Sequence, residues 1–392
     1  MFYYLSFLRP PPLQAAPFGT IPVTPQVAND LRTELYGDSQ EIFYAWSYPP
    51  RANGASNAFP EITKPQKLTI WRQGSAYKEI PVPLPSGIRE GQLCRLVLTA
   101  HPQGFPHVIN LESLKLGERP LPVMSMPILF SARSLHPKGK TGAPTAGKQE
   151  QVERIYRIPT GPQQQVFISV KEQTSFDLDK KVWDSGIGLS SWIVGLAHGD
   201  SDGDIPPLLI ELRDALLSPQ PRRIVELGAG TGIVSIALGA LRSATHPSDE
   251  GCIITTDLAS AMPLLEHNIA TNNAVYPSSS SHPNAVVLDW DEEQLPDEVL
   301  GVAGGFHAII MADVTYNTSS FPPLIRTLSK LIKLGSTSEW RRPLILLGYK
   351  ERDPAERSLW EMSKDIGVNF VQVGERHGAG GEVVEVWIGT MQ

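Results

Sequence analysis

From residue 152 onward, short apolar runs bounded by Gly, Asp or Pro alternate with longer stretches whose apolar residues recur three and four positions apart. The first pattern predicts buried strands and the second amphipathic helices. A strand is expected over 166–170 and a helix over 182–196. Strand 224–227 should feed helix 233–241, and strand 252–256 should feed helix 261–272. Strands 285–288 and 307–312 precede helix 321–334, and strand 343–348 precedes helix 355–366. Two consecutive strands close the chain, 369–373 and 383–388. Strand–helix alternation implies right-handed crossovers and a mostly parallel sheet, and two strands in a row at the end imply a terminal antiparallel hairpin.

Residues 1–150 read differently. Proline is frequent, helical periodicity is weak, and 67–71, 93–100 and 107–111 resemble short strands separated by turns. The opening 1–8 is aromatic and apolar, but no basic residue precedes it and Pro10, Pro11 and Pro12 cut it short, so an early strand or a docking segment is expected rather than a secretory signal. Pro137, Gly139, Gly142, Pro144 and Gly147 mark 135–151 as a loop or linker. The expected organisation is therefore a β-rich accessory region over 1–150 and an α/β domain over 151–392.

Composition narrows the class. With 41% hydrophobic and 19% charged residues the chain is globular, and no apolar run reaches the ~20 residues of a membrane span. A net charge of −7 without a Lys/Arg-dense run argues against a nucleic-acid binder. Cys94 and Cys252 are far apart and outside any Cys-x-x-Cys or Cys/His cluster, which disfavours a disulfide framework or a metal site and fits a reducing compartment, cytoplasmic or also nuclear.

The chemistry centres on residues 225–232, Val-Glu-Leu-Gly-Ala-Gly-Thr-Gly. A buried strand, a glycine turn and a helix start form the arrangement in which α/β proteins cradle nucleotide-like ligands. Counted from Gly228 and Gly230, the dinucleotide fingerprint would want a third glycine where Ile233 stands. Glu226, just before the turn, would repel a pyrophosphate and suits a cationic amino-acid group. The cofactor expected is S-adenosyl-L-methionine rather than NAD(P).

Asp257, with Leu258 after it, ends the second strand, where a carboxylate accepts from ribose hydroxyls; capping of the next helix is the plain alternative. Asp289 and Trp290 follow the third strand and suit the amine and face of adenine, against a structural tryptophan. Ala312 ends the fourth strand, and Asp313-Val-Thr-Tyr316 follows it across the crevice from the glycine turn. Asp313 is the candidate to bind and orient an arriving amine, and Tyr316 to line its path; capping and packing are the alternatives. Trp183 precedes a Gly/Ser-rich helix start that leaves room for a ligand. The histidines show neither metal spacing nor a triad, so hydrolysis and metal catalysis find no support.

Four motifs occur in the order of a known family. Thr174-Ser-Phe-Asp177 with Val182-Trp-Asp-Ser185, then 225–232, then Asp257-Leu-Ala-Ser-Ala-Met-Pro-Leu-Leu-Glu-His-Asn268 continuing to Asn272-Asn273, then Asp313-Val-Thr-Tyr316 together resemble the family-sixteen, seven-β-strand protein methyltransferases. The resemblance covers residues 173–392. It implies a class I, Rossmann-like fold and methyl transfer from S-adenosylmethionine to a protein lysine. Glu226, Gly228, Gly230, Asp257, Trp290 and Trp183 would line the cofactor pocket, and Asp313 and Tyr316 would face the lysine. A methyltransferase acting on a small molecule or nucleic acid, or an NAD(P)-dependent oxidoreductase, is the alternative reading. A protein substrate without membrane attachment is the expected partner.

Overall fold

The computed structural model describes residues 1–48, 62–132, 147–161, 163–175, 177–199, 205–245, 250–334 and 342–391 of the 392-residue chain. Most of the expected linker at 135–151 lies outside them. The C-terminal half is built on seven strands: β1 (Arg223–Leu227), β2 (Cys252–Asp257), β3 (Pro283–Val287), β4 (Ala308–Ala312), β5 (Leu344–Tyr349), β6 (Val368–Arg376) and β7 (Val384–Met391). Their order is β3-β2-β1-β4-β5-β7-β6, parallel from β3 to β5, with β7 antiparallel to both neighbours. This is the doubly wound sheet with a closing hairpin that the alternation predicts. The strand order reverses between β1 and β4, which opens a crevice at their carboxyl ends.

Helices cover both faces, which explains why the central strands read as unbroken apolar runs. One face packs against α1 (Asp184–His198), α2 (Pro207–Leu217), α3 (Ile233–Ala244) and α4 (Met262–Thr271). The other packs against α5 (Phe321–Leu334), whose Leu324, Ile325, Leu328, Leu331 and Ile332 are buried while Arg326 and Lys333 are exposed. Two elements differ from expectation. The helix expected over 355–366 is a 3-10 turn, Pro354–Arg357, followed by the shorter α6 (Ser358–Lys364), because Asp353 accepts from the Ala355 amide at 2.8 Å and sets a tighter start. Helix α2 was not anticipated, although Pro207 at its first turn and apolar Leu208, Leu212 and Leu216 carry a helical signal.

The N-terminal region is β-rich, and more regular than its prolines suggest. Strand Gln92–Thr99 pairs with Gln40–Ser47, Val123–Ser125 and Ile128–Phe130 around a core of Trp46, Trp71, Phe7 and Phe130. The opening segment is indeed a strand, Tyr4–Arg9, paired with Thr20–Ala28. This sheet extends past residue 150: Gln151–Gly161 pairs with Val108–Asn110 and Val123–Ser125, and with its hairpin partner Gln164–Gln173. Phe2, Tyr4, Leu111 and Tyr156 then share one continuous apolar cluster with α1 and α3.

Two asparagines of the motif beginning at Asp257 stitch the halves together. The fully buried Asn268 on α4 accepts from the Lys171 amide (2.9 Å) and donates to the carbonyls of Lys171 (3.1 Å) and Thr231 (3.0 Å). One turn on, Asn272 accepts from the Ser169 amide (2.9 Å) and donates to its carbonyl (2.8 Å). The outer strand of the hairpin is thereby paired by side chains, and Thr231 of the glycine turn is held to α4. Asn268→Ala orphans a buried amide and two carbonyls and should destabilise the protein by about 2–4 kcal/mol, read as a lowered midpoint in urea unfolding.

Candidate active site

The chain leaves β1 through Gly228, Gly230 and Gly232, whose φ angles of +65°, +55° and +79° are all left-handed. Side chains are excluded for packing reasons as well. A Cβ on Gly228 would lie 2.9 Å from Val314 and 3.4 Å from Trp290, and one on Gly232 would lie 2.5 Å from Leu265. The turn thus presents bare backbone to the crevice before α3 begins.

Two carboxylates brace this turn. Asp257 accepts from the Gly230 amide (2.6 Å) and the Leu258 amide (2.7 Å). It does not cap α4, whose cap residue is Ala261. Burial raises its pKa above the ordinary carboxylate value. Glu226 is 1% exposed; its Oε2 accepts from the Ser235 amide (3.1 Å) and hydroxyl and from Thr255 (3.2 Å). Desolvation outweighs these bonds and pushes the Glu226 carboxyl up to about 7.

Across the crevice, Ala312 ends β4 and Asp313 turns the chain with φ +61°, a left-handed conformation that Asp tolerates better than most residues. Its amide donates to the Gly348 carbonyl at 3.1 Å. Its carboxylate is 4% exposed and takes both ends of the Arg352 guanidinium, one at 2.9 Å, and the Ser185 amide at 3.3 Å. Asp313 does not cap α5; Asn317 caps the turn before that helix. Tyr316, at 56% exposure, is not a core residue.

Arg352 is the centre of a buried ion network. It donates to Asp30 at 2.9 Å, lies 5.3 Å over the Trp183 ring, and shares Asp30 with Lys350 (3.2 Å), which also reaches Asp184 (2.8 Å). Asp184 in turn accepts from the Tyr4 hydroxyl at 2.7 Å and the Phe2 amide at 2.9 Å. Burial favours losing the charge on Arg352 and Lys350, but the surrounding carboxylates outweigh it and both pKa values are raised. Burial and the neighbouring Asp30 push Asp184 up to about 6. Three carboxyl groups, on Asp30, Asp184 and Asp313, thus share the two basic side chains of Arg352 and Lys350.

All the residues singled out from the sequence line one cavity of about 180 Å³: Trp183; Glu226, Gly228 and Gly230 of the turn; Asp257 and Leu258; Asp289 and Trp290; and Ala312, Asp313 and Tyr316. Asp289 accepts from the Asp291 amide (2.9 Å), fixing the turn that holds Trp290 near Gly228. Leu178, Asp179 and Lys181 also line the cavity and had not been picked out. They lie between two recognised motif pieces and lead directly into Trp183, whose Nε1 donates to the Leu178 carbonyl (2.9 Å). A second cavity of about 210 Å³ shares Leu178, Trp183, Asp313 and Tyr316 with the first and is completed by Leu31 and Arg352.

Residues 162–365, more than half of the chain, match the family described as lysine methyltransferase. The chain belongs to that family. Among its curated relatives, protein-lysine N-methyltransferase EFM6 of Saccharomyces cerevisiae is 28% identical over 187 residues, 46% of this chain and 71% of that protein. Calmodulin-lysine N-methyltransferase of Arabidopsis thaliana is 27% identical over 163 residues, 40% of this chain and 48% of its own. Protein N-lysine methyltransferase METTL21A of Danio rerio is 31% identical over 154 residues, 38% and 60% respectively. The matches therefore span less than two thirds of the Arabidopsis and Danio proteins.

For this member of the lysine methyltransferase family the cofactor is S-adenosylmethionine, and the residues lining the crevice fit it. Bare backbone at the turn, a buried carboxylate near the end of β1, a half-buried one at the end of β2, and an aromatic beside β3 are a donor and acceptor set for a ligand with hydroxyls, a purine and a cationic amino-acid end. Gly228→Ala combines left-handed strain of roughly 1–2 kcal/mol with a clash on Val314. It should weaken binding of S-adenosylhomocysteine by about tenfold or more in a calorimetric titration.

Proposed function

We infer that this protein transfers the methyl group of S-adenosylmethionine to a lysine side chain of another protein. The observation that carries the reading is the glycine turn closed by Asp257 directly across the crevice from Asp313, within a chain of the lysine methyltransferase family. S-adenosylmethionine supplies an electrophilic methyl group on a sulfonium. In the transfer the carbon–sulfur bond breaks, a carbon–nitrogen bond forms, and the amine proton leaves to water.

Each residue has a proposed task. Glu226 would pair with the ammonium of the cofactor's amino-acid end. Asp257 would take the ribose hydroxyls while keeping Gly230 in place. Trp290, with Leu258 opposite and Asp289 beside it, would hold adenine, and Ala312 and Trp183 would close the walls. Asp313 and Tyr316 would receive the lysine. A free lysine is neutral in only about one part in two thousand at pH 7, so holding its nitrogen in line with the methyl group is the protein's main contribution.

In the proposed division of labour, residues 1–150 are accessory to a methyltransferase unit over 151–392. No helix among the described residues is long and apolar enough to cross a membrane. Free Cys94 and Cys252 support placing the protein in a reducing compartment, the cytoplasm and also the nucleus.

Incubation with tritiated S-adenosylmethionine and a cell extract should label protein, with the label recovered as methyl-lysine after acid hydrolysis; label confined to small molecules or RNA overturns the reading. Asp313→Ala should keep S-adenosylhomocysteine binding within about threefold and lose at least about a hundredfold in labelling rate. The raised carboxyl of Glu226 adds a pH signature. Below its folded value of about 7 the group is protonated, and it must release a proton to meet an ammonium. Affinity for S-adenosylhomocysteine should therefore rise between about pH 6 and pH 8 and then level off, with proton release measurable by calorimetry in different buffers. Glu226→Gln should flatten that profile.

A further inference from the structure

The second cavity adjoins the cofactor crevice on the side of Asp313, and one of its walls comes from the far end of the chain. Leu31 belongs to a turn that follows strand Thr20–Ala28, well outside the family match over 162–365. The turn is held rigidly. Asn29 accepts through its side chain from the Thr33 amide (3.0 Å) and the Glu34 amide (3.2 Å), and its own amide donates to the Glu34 carbonyl (2.9 Å). Arg32 takes a left-handed φ of +60° and donates to the Thr174 carbonyl at 3.2 Å, which ties the turn to the motif that leads into Trp183. Asp30 is buried and its carboxylate accepts from Arg352 and Lys350. Leu31, between these two anchors, is only partly buried and faces the cavity.

The composition of that cavity matches a particular chemistry. Leu31, Leu178 and the rings of Trp183 and Tyr316 offer apolar walls, and Asp313 and Arg352 stand at one end, within a network of three carboxylates and two cations. A side chain with a long methylene stem and a cationic head has the complementary distribution. We propose that the turn at residues 29–33 forms one wall of the channel for the acceptor, with Leu31 as a specificity-determining residue for an unbranched alkylammonium side chain. This rests on the methyltransferase reading above and adds the N-terminal region to its acceptor site.

The test uses the whole 392-residue chain and two ligands, S-adenosylhomocysteine and an analogue whose sulfur is replaced by nitrogen carrying a 2-(butylamino)ethyl arm, which puts a cationic amine beside the transfer point and an unbranched alkyl stem beyond it. The wild type should bind the armed analogue more tightly than S-adenosylhomocysteine. Leu31→Trp should abolish that gain, by about tenfold or more, while binding S-adenosylhomocysteine within about twofold of the wild type. Leu31→Ala, which empties rather than fills the channel, should keep most of the gain. An arm that brings no gain in the wild type, or a gain that survives Leu31→Trp, overturns the proposal, as does an equal loss of both ligands in Leu31→Trp, which would mark Leu31 as merely structural. Failure of the wild type to bind S-adenosylhomocysteine would instead overturn the methyltransferase reading itself.

Discussion

Two neighbouring strands, β1 and β4, end at the same crevice, and at both the chain departs through a left-handed residue. At β1 it is Gly228, φ +65°, and at β4 Asp313, φ +61°. Reversal of strand order at this point is what opens the crevice, and a chain continuing straight on would fill it. The sharp exits keep it clear. Glycine is favoured at β1 because a Cβ there would lie only 2.9 Å from Val314. At β4 a side chain is tolerated because it does work there: the Asp313 carboxylate is locked by Arg352 and by the Ser185 amide, which offsets part of the backbone strain.

That lock sets the electrostatics of the site. Buried ion pairs add little net stability, since desolvation consumes most of the attraction, but removing one partner strands a charge and costs about 3–5 kcal/mol. Arg352 and Lys350 each bridge two carboxylates, so Asp30, Asp184 and Asp313 are held at fixed separations by cations that cannot easily leave. A carboxylate fixed in this way needs no reorganisation when a substrate arrives, and pre-organisation of this kind is where positioning enzymes gain their rate.

Much of the sheet was legible because parallel strands buried on both faces must be continuously apolar, and the helices between them must repeat at helical spacing. The glycine turn was legible for the same reason that it works, since three left-handed residues so close together strongly favour glycine. Arg352 was less visible. It follows β5 at the same edge as Asp313, but a charged residue after a strand is usually solvated and nothing in 350–353 distinguishes it. Asp30 could not be found at all, because its partner lies 322 positions away and no local spacing encodes the contact. One long strand of the N-terminal region was hidden by its prolines: Pro22 and Pro25 sit inside Thr20–Ala28, where a reading by propensity sees an interrupted segment, whereas the strands near 67–71, 93–100 and 107–111 lie where the pattern places them.

These unreadable contacts change what the N-terminal region is. A tethered accessory module would meet its neighbour through a modest polar interface. Here Phe2, Tyr4 and Tyr156 lie in the same apolar cluster as α1 and α3, the Gln164–Gln173 strand is paired through Asn268 and Asn272, and Asp30 closes the charge network around Asp313. Loss of the N-terminal region would uncover part of the sheet's helical layer and leave Arg352 with a single carboxylate. The wall of the crevice that carries Asp313 is thus assembled by both ends of the chain, and its charge balance includes Asp30, which lies outside the family match over 162–365.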